Sequence, residues 1–400
     1  MTLAFGRAFR ALPGPSVMPD RVLRAMHRPA PDIYSDDIAE MTVGIKKDLK
    51  VMAGTSGEAL IYIGNGHAGW EAALNNVVNL GDRLLALETG RFTAGWIDVA
   101  ERLGATIEKL DFGTDRALDP EVVHDHLKQD HRHAIKAILV VQVDTATSVR
   151  NDIAALRQAI DAAGHPALLM VDCIASLGCE RFEMDAWGVD VTVSACQKGL
   201  MTPPGLAFVH VNERARDIRK QAKNVTGYWD WLPRLDPEIF YMNFYGTAPT
   251  HLLFGLAEAL DMILREEGLE NAWWRHSILA KSVSSAVDAW AQGGPLRCNI
   301  QNTDERAHSV TTIQTGNADA QALRAWCDQK TGVALGVGLG LGAPIAPQPN
   351  NMFRIGHMGH LNPPMILGTL ATVDAGLKAL KIPHGDAAMS VAASIIAQNA

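Results

Sequence analysis

The sequence predicts an α/β protein, with a large domain built on a mostly parallel sheet and a smaller α/β domain after it. Three observations carry this expectation. Between residues 59 and 211, short apolar runs alternate with helix-length amphipathic segments. Such alternation implies parallel strands with helices on both faces. The 400 residues exceed one typical core, so two domains are expected. After Val211 the character changes: residues 223–245 are rich in Tyr, Trp and Phe, and strand-like runs resume only at 309. The expected division is an N-terminal arm over 1–20, a large domain over 21–266 and a small domain over 267–400.

In chain order, Leu12-Pro-Gly-Pro15 is a stiff extended element, because proline fixes φ and moves its predecessor out of the helical region. It reads as a linker or as an arm laid over a partner subunit, with no sheet of its own to join. Ile38, Met41, Ile45, Leu49 and Met52 recur at helical spacing and predict a helix over 36–53. Residues 59–63 read as a strand, 64–71 as a glycine turn, and the segment up to Gly81 as a helix. Strands follow at 84–87, 106–110, 135–143 and 167–172, with helices at 119–129 and 153–163 between them. In the second half, helices are expected at 252–266 and 270–292. Strands at 309–314, 333–335 and 352–355 would form a second sheet. A helix at 318–329 lies between the first two, and 366–380 reads as a closing helix.

Composition excludes several classes. Net charge is −8 and no Lys/Arg cluster stands out, which argues against a nucleic-acid partner. No run approaches the ~18 apolar residues of a membrane span, and the N-terminus is too polar for a secretory signal. The cysteines at 173, 179, 196, 298 and 327 form no CxxC pair and are odd in number, which suits reduced thiols in the cytoplasm. No metal-ligand pattern and no internal repeat is present.

Lys198 is the centre of the chemical reading. It lies between the run 189–194 and the apolar run 206–209, followed by Pro203-Pro-Gly205. Burying an ammonium between strands costs several kcal/mol unless it is paired or chemically altered. Condensation with an aldehyde removes that cost, so Lys198 is a candidate Schiff-base lysine for pyridoxal phosphate. The alternative is a lysine at the sheet rim with its amine in water. Asp172 ends an apolar run 26 residues earlier (198 − 172). Ligand-contacting side chains gather at the carboxyl ends of strands in open α/β sheets, and a carboxylate there can keep a pyridine nitrogen protonated. A helix-capping aspartate is the plainer alternative. The run Gly64-Asn-Gly-His-Ala-Gly-Trp-Glu71 places a glycine turn at a helix start. Free N–H groups and the positive dipole end there suit a phosphate, though an ordinary strand-to-helix turn has the same look. Phe92 or Trp96 could stack on a flat heterocycle or simply pack under the sheet. Arg354 could fork onto a substrate carboxylate or form a surface ion pair.

Taken together, these segments resemble a fold-type I, class V pyridoxal-phosphate aminotransferase of the alanine/serine–glyoxylate group. The resemblance rests on Leu-Pro-Gly-Pro at 12–15, Gly-Asn-Gly-His-Ala-Gly-Trp-Glu-Ala-Ala-Leu at 64–74, Gly-Arg-Phe at 90–92 and Val-Asp-Cys-Ile-Ala-Ser-Leu-Gly at 171–178. It also rests on Trp-Gly-Val-Asp-Val at 187–191, the run 194–206 around Gln-Lys-Gly, and Phe-Arg-Ile-Gly-His-Met-Gly at 353–359. It covers nearly the whole chain. It implies a seven-stranded large sheet and transfer of an amino group from a small amino acid to glyoxylate, with serine or alanine first and aspartate also open as donor. By matching position, Lys198 bonds the cofactor and Asp172 pairs its ring nitrogen. Gly66, His67 and Ala68 hold the phosphate through backbone N–H groups, with Gln197 beside them. Phe92 and Ile174 lie on the two ring faces and Thr145 near the ring hydroxyl. Ser176 and Arg354 take the substrate carboxylate. Tyr245 and Thr247 match positions that reach a neighbouring subunit's phosphate site, which implies a homodimer with shared sites. The chain departs from the serine-specialised pattern at 245–249, which reads Tyr-Gly-Thr-Ala-Pro, and at 31–36, which lacks His-Arg. A desulfurase would place a His beside the lysine, where Gln197 stands. A cofactor-binding regulator would need an appended DNA-binding unit.

Overall fold

The computed structural model describes residues 1–34, 36–340 and 350–400. Its large sheet has seven strands, in spatial order Glu58–Gly64, Gly205–Val211, Val191–Ala195, Leu168–Asp172, Ile135–Val141, Arg83–Glu88 and Thr106–Asp111. Gly205–Val211 runs antiparallel to both neighbours. The other neighbouring pairs are parallel. Side chains alternate across the sheet, as a period of two requires. Leu85, Leu87, Ile138, Val140, Leu169 and Val171 enter one apolar layer. Leu84, Ala86, Ala137, Leu139, Leu168 and Met170 enter the other. Both faces are covered, so the central strands are apolar throughout rather than alternating with polar residues. Each large side chain so buried contributes roughly 1.5–3 kcal/mol.

The second sheet has five strands, in order Phe9–Ala11, Val333–Val337, Met352–Gly356, Val310–Gln314 and Arg297–Cys298. Helices Leu269–Ala291, Pro363–Ala379 and Ala388–Asn399 share its apolar cluster through Val283, Trp290, Ile366, Leu370 and Ala392.

Two findings differ from the sequence reading, and a third concerns the aromatic segment. The N-terminal arm does have a sheet to join: Phe9–Ala11 pairs in parallel with Val333, Ala334 and Leu335. Three residues are too few to show a periodic pattern, so the strand is invisible in the sequence. The closing element of the chain is Ala388–Asn399, where Ala388 and Ala392 present only a narrow apolar stripe. The aromatic segment 223–245 is largely tied to its own chain. Trp231 and Phe244 are buried, and the Arg234 guanidinium sits 4.3 Å over the Tyr62 ring. It also donates to the carbonyls of Ile61, Tyr228 and Asn243. Ile239, Tyr241 and Tyr245 remain exposed.

No helix among the described residues is long and apolar enough to cross a membrane. All five cysteines are buried and unpaired.

Candidate functional site

The carboxyl ends of the strands Ile135–Val141 and Leu168–Asp172 open into a cavity of about 250 Å³. Asp172 lines it from the sheet and is buried. Its Oδ1 accepts from the Ile174 N–H at 2.7 Å, and its Oδ2 accepts from Trp70 Nε1 at 2.7 Å. Burial pushes the carboxyl up to about 7, against the pull of those two donors and of Lys198. A buried carboxyl in that state favours a cationic hydrogen-bond donor as its partner.

Lys198 lines the same cavity. It follows the buried strand Val191–Ala195, so the sheet itself carries the amine to the cavity. Burial, with the Arg354 charge added, pulls the amine down to about 8, while Asp172 and Cys179 oppose the shift. The alternative of a rim lysine with its amine in water does not hold, because Nζ donates to the carbonyl of Pro13 at 2.6 Å. The arm that the sequence left as a linker therefore lies against this chain's own lysine.

The helix Gly66–Val77 begins at the cavity, capped by Asn65, whose side chain accepts from the His67 N–H at 3.1 Å. A side chain at Gly66 would overlap Ile174 Cδ1, so glycine is what lets the helix start approach the loop after Asp172. Phe92 is half-buried and anchored by its N–H to Asp144 Oδ2 at 2.8 Å. Trp96 is fully buried, stacks on Trp70 at 6.1 Å and does not line the cavity, so of the two candidate stacking rings only Phe92 is available.

Gly66, His67, Phe92, Thr145, Asp172, Ile174, Gln197 and Lys198 all line one cavity. Ala68 packs one residue further into the helix, against Gly64. Ser176 is fully buried and outside the lining. Arg354 is buried rather than on the surface, which removes the surface ion-pair reading. Its Nε donates to Val337 O and its Nη1 to Thr145 O, both at 2.7 Å, so it is fastened to a residue of the lining. Burial pulls it down to about 10, and Asp144 opposes the shift. Tyr245 and Thr247 are exposed and away from the cavity of their own chain.

Sequence reasoning missed three groups. Trp70 was within the quoted glycine motif, but only the structure shows its indole N–H on Asp172. Asp144 directs the Phe92 loop through a contact 52 residues distant, which no local pattern reveals. Pro13 reaches Lys198 across 185 residues. A larger groove of about 830 Å³ lies elsewhere, around Ser56, Asp185 and Arg214, but neither Lys198 nor Asp172 borders it.

The lining fits pyridoxal phosphate. A buried carboxyl that could accept from a ring nitrogen and an amine with a lowered pKa line the same space. A helix start and a half-buried phenyl ring complete the wall.

Known proteins agree. A family model described as aminotransferase class-V matches residues 21–354. A serine–glyoxylate aminotransferase of Methylorubrum extorquens is 36% identical, covering 98% of this chain and 97% of its own. An L-aspartate–glyoxylate aminotransferase of Paracoccus denitrificans is 34% identical, covering 93% of this chain and 91% of its own. Among solved structures, pyridoxamine–pyruvate aminotransferase from Mesorhizobium loti superposes with a TM-score of 0.88 at 24% identity, over 98% of this chain and 97% of that one. Ureidoglycine–glyoxylate aminotransferase from Bacillus subtilis gives 0.87 at 24% identity over 99% of each chain. At those identities the two structures speak for the fold. From the family match, the similar curated sequences and the cavity, the chain belongs to the class-V aminotransferases, enzymes that work with pyridoxal phosphate.

Proposed function

We propose that this aminotransferase moves an amino group from a small amino acid to glyoxylate, giving glycine. Serine and alanine are the first donors and aspartate the next. The observation that carries the reading is the placing of Lys198 and Asp172 on one cavity, with Arg354 bonded to the Thr145 wall beside it. The names of the similar curated proteins support glyoxylate as acceptor.

Pyridoxal phosphate supplies an aldehyde that bonds amines and a protonated ring that draws negative charge away from the adjacent carbon. The chain's own residues do the rest. Gly66, His67 and Ala68 hold the phosphate at the helix start, with Gln197 beside them. Of these, the His67 N–H is already shared with Asn65. Phe92 and Ile174 enclose the ring, and Thr145 takes its hydroxyl. Asp172 accepts the ring-nitrogen hydrogen bond and so keeps that proton in place. Lys198 Nζ removes the proton from the donor's Cα and delivers it to its new carbon. An amine pulled down to about 8 is partly neutral near pH 7 and can take a proton. Arg354 orients the substrate carboxylate; Ser176, which the resemblance assigns beside it, is fully buried outside the lining in this conformation. The test is a half-reaction screen with serine, alanine and aspartate, followed spectrally to the pyridoxamine form, then glyoxylate. Conversion with one of the three and recovery on glyoxylate is expected. Recovery with other keto acids but not with glyoxylate would overturn the acceptor.

A homodimer with shared sites belongs to the same proposal, as does a cytoplasmic location. Tyr245 and Thr247 lie exposed and away from their own cavity, as residues that serve a partner would. Mixing a Lys198→Ala chain with a Tyr245→Phe, Thr247→Ala chain tests it. Each homodimer is impaired at both sites, whereas a mixed dimer has one site free of both lesions. Partial recovery of activity on mixing is expected. Absence of recovery although mixed dimers form, or an active monomer in sedimentation, contradicts it. The division into an arm over 1–20, a large domain over 21–266 and a small domain over 267–400 is retained, with the arm's strand lodged in the small sheet.

A further inference from the structure

We infer that the backbone carbonyl of Pro13 is a positioning group for Lys198: it holds Nζ toward the cavity whenever that nitrogen carries no covalent partner, and the small domain holds the carbonyl in place. The inference concerns the lysine alone and stands whichever donor or acceptor is used.

Nζ donates to Pro13 O at 2.6 Å. The same arm grips the lysine's backbone. Ser16 Oγ donates to Lys198 O at 2.6 Å, and the Ser16 N–H donates to Gln197 O at 3.0 Å. These two bonds, one from the Ser16 hydroxyl and one from its N–H, fix the arm's register along the lysine. A carbonyl acceptor has a particular advantage here. It accepts from an ammonium and, more weakly, from a neutral amine, and it leaves the neutral nitrogen's lone pair free for an incoming carbonyl carbon or proton. The charged and titratable groups that bear on Nζ are Asp172 and Cys179, which favour the ammonium, and Arg354, which disfavours it.

Gly14 completes the device. A Cβ there would stand 2.5 Å from Nζ and 2.6 Å from Cδ and Cε, and the residue's φ is +95°. The arm thus presses on the flexible stem as well as on its tip, which removes rotamer freedom before the chemistry begins. The small domain supports the arm from the far side. Phe9–Ala11 lies in its sheet, and a Cβ at Gly336 would fall 2.7 Å from Pro13 Cδ. Gly336 pairs with Arg354 across the sheet. A continuous path of contacts therefore runs from Arg354 through Gly336 and Pro13 to the lysine.

The experiment mixes ligand-free full-length chain with pyridoxal 5′-phosphate. It follows the near-visible absorbance of the covalent link, which forms between amine and aldehyde with loss of one water. The formation rate and the pH midpoint of the absorbance are the readouts, with retained cofactor and melting temperature measured in parallel. Gly14→Ala should slow formation at least tenfold and shift the midpoint. Gly336→Ala, whose Cβ would meet the Pro13 ring at 2.7 Å and Arg354 Cβ and O at 3.1 Å but not the lysine, should slow it several-fold. Both should retain cofactor, and each should melt below the parent, because Gly14 has φ +95° and a Cβ at Gly336 crowds Pro13 and Arg354. Gly44→Ala, which meets nothing within 4 Å, should change nothing. Parental rate and midpoint in both Gly14→Ala and Gly336→Ala overturn the inference. So does slowing that appears only together with lost cofactor and leaves the pH midpoint unmoved, since the arm would then be merely structural. If Gly14→Ala does not fold, Gly336→Ala decides by the same criteria.

Discussion

Asp172 ends its strand and Asp144 lies three residues beyond the end of the neighbouring strand Ile135–Val141; both are buried, and they are held in opposite ways. Asp144 accepts three backbone N–H groups, from Phe92, Ala146 and Thr147, and lies outside the cavity lining. Asp172 accepts one backbone N–H and one indole N–H, and it lines the cavity. A carboxylate has about four lone-pair sites. Asp144 is close to saturated by main chain, so its work is to shape the loop that carries Phe92. Asp172 keeps capacity on the side that faces the cavity. Two aspartates of equal burial thus differ in role because of the number and kind of donors around them.

The largest expected effect comes from removing the amine that shares the cavity with Asp172 and not with Asp144. Lys198→Ala should lower turnover by roughly 10²–10⁴-fold or more, the range for losing a positioned base. It should also abolish the covalent near-visible absorbance while the fold persists. Turnover near the parent's would remove Lys198 from its role.

The comparison itself is broken or kept by two amides. Asp144→Asn and Asp172→Asn each place an N–H where an N–H already points, which costs about 1–3 kcal/mol, and in Asp172→Asn the loss of a buried charge offsets that cost as pH rises toward 7. Their turnover should separate. Asp172→Asn should fall roughly 10²-fold with the cofactor still bound, and its substrate deuterium isotope effect should grow as the Cα-proton step becomes limiting. Asp144→Asn should stay within about tenfold of the parent. Equal losses in both, with cofactor bound, would make the two aspartates functionally alike and sink the distinction.

Stability against pH sharpens the same point. Asp172 is raised from 3.8 to about 7 in the folded chain. Between those values the folded state binds more protons than the unfolded, so this carboxyl lowers stability as pH rises from about 4 to 7 and adds no slope above. Lys198 is lowered from 10.5 to about 8. There the unfolded state binds more protons, so stability gained from this group rises between about 8 and 10.5. In ligand-free chain, Asp172→Asn should remove the lower slope and Lys198→Ala the upper one. Melting curves across pH in which neither variant alters its own window would refute both assignments.

How much of this was legible beforehand follows from the range of each interaction. The large-sheet strands showed themselves because buried strands are continuous apolar runs such as 135–141. Lys198, Asp172 and the Gly66 turn were legible because each follows or precedes such a run. The strand Phe9–Ala11, the Trp70 bond to Asp172 and the Pro13 bond to Lys198 were not. Each joins segments at least 102 residues apart, and nothing in the local sequence at either end demands the other. In the aromatic segment, Trp231 and Phe244 are covered by their own chain while Ile239, Tyr241 and Tyr245 stay exposed, a split that composition alone does not show.

Arg354→Lys gives the smallest effect and separates anchoring from recognition. The guanidinium uses Nε on Val337 O and Nη1 on Thr145 O, and Nη2 takes no hydrogen bond among the described residues. A planar fork can hold the wall with two donors and still present another edge to a carboxylate. A lysine ammonium at the same position is a point charge on a single stem and cannot meet both demands. Burial pulls the arginine only to about 10, so its charge is present at neutral pH. KM for both the amino acid and the keto acid should rise about tenfold, with kcat changed less, because a uniform binding contact is weakened. Amines that lack a carboxylate should show no such rise. An equal rise with those amines would mean that the substituted side chain merely loosens the Thr145 wall, and the carboxylate assignment would fall.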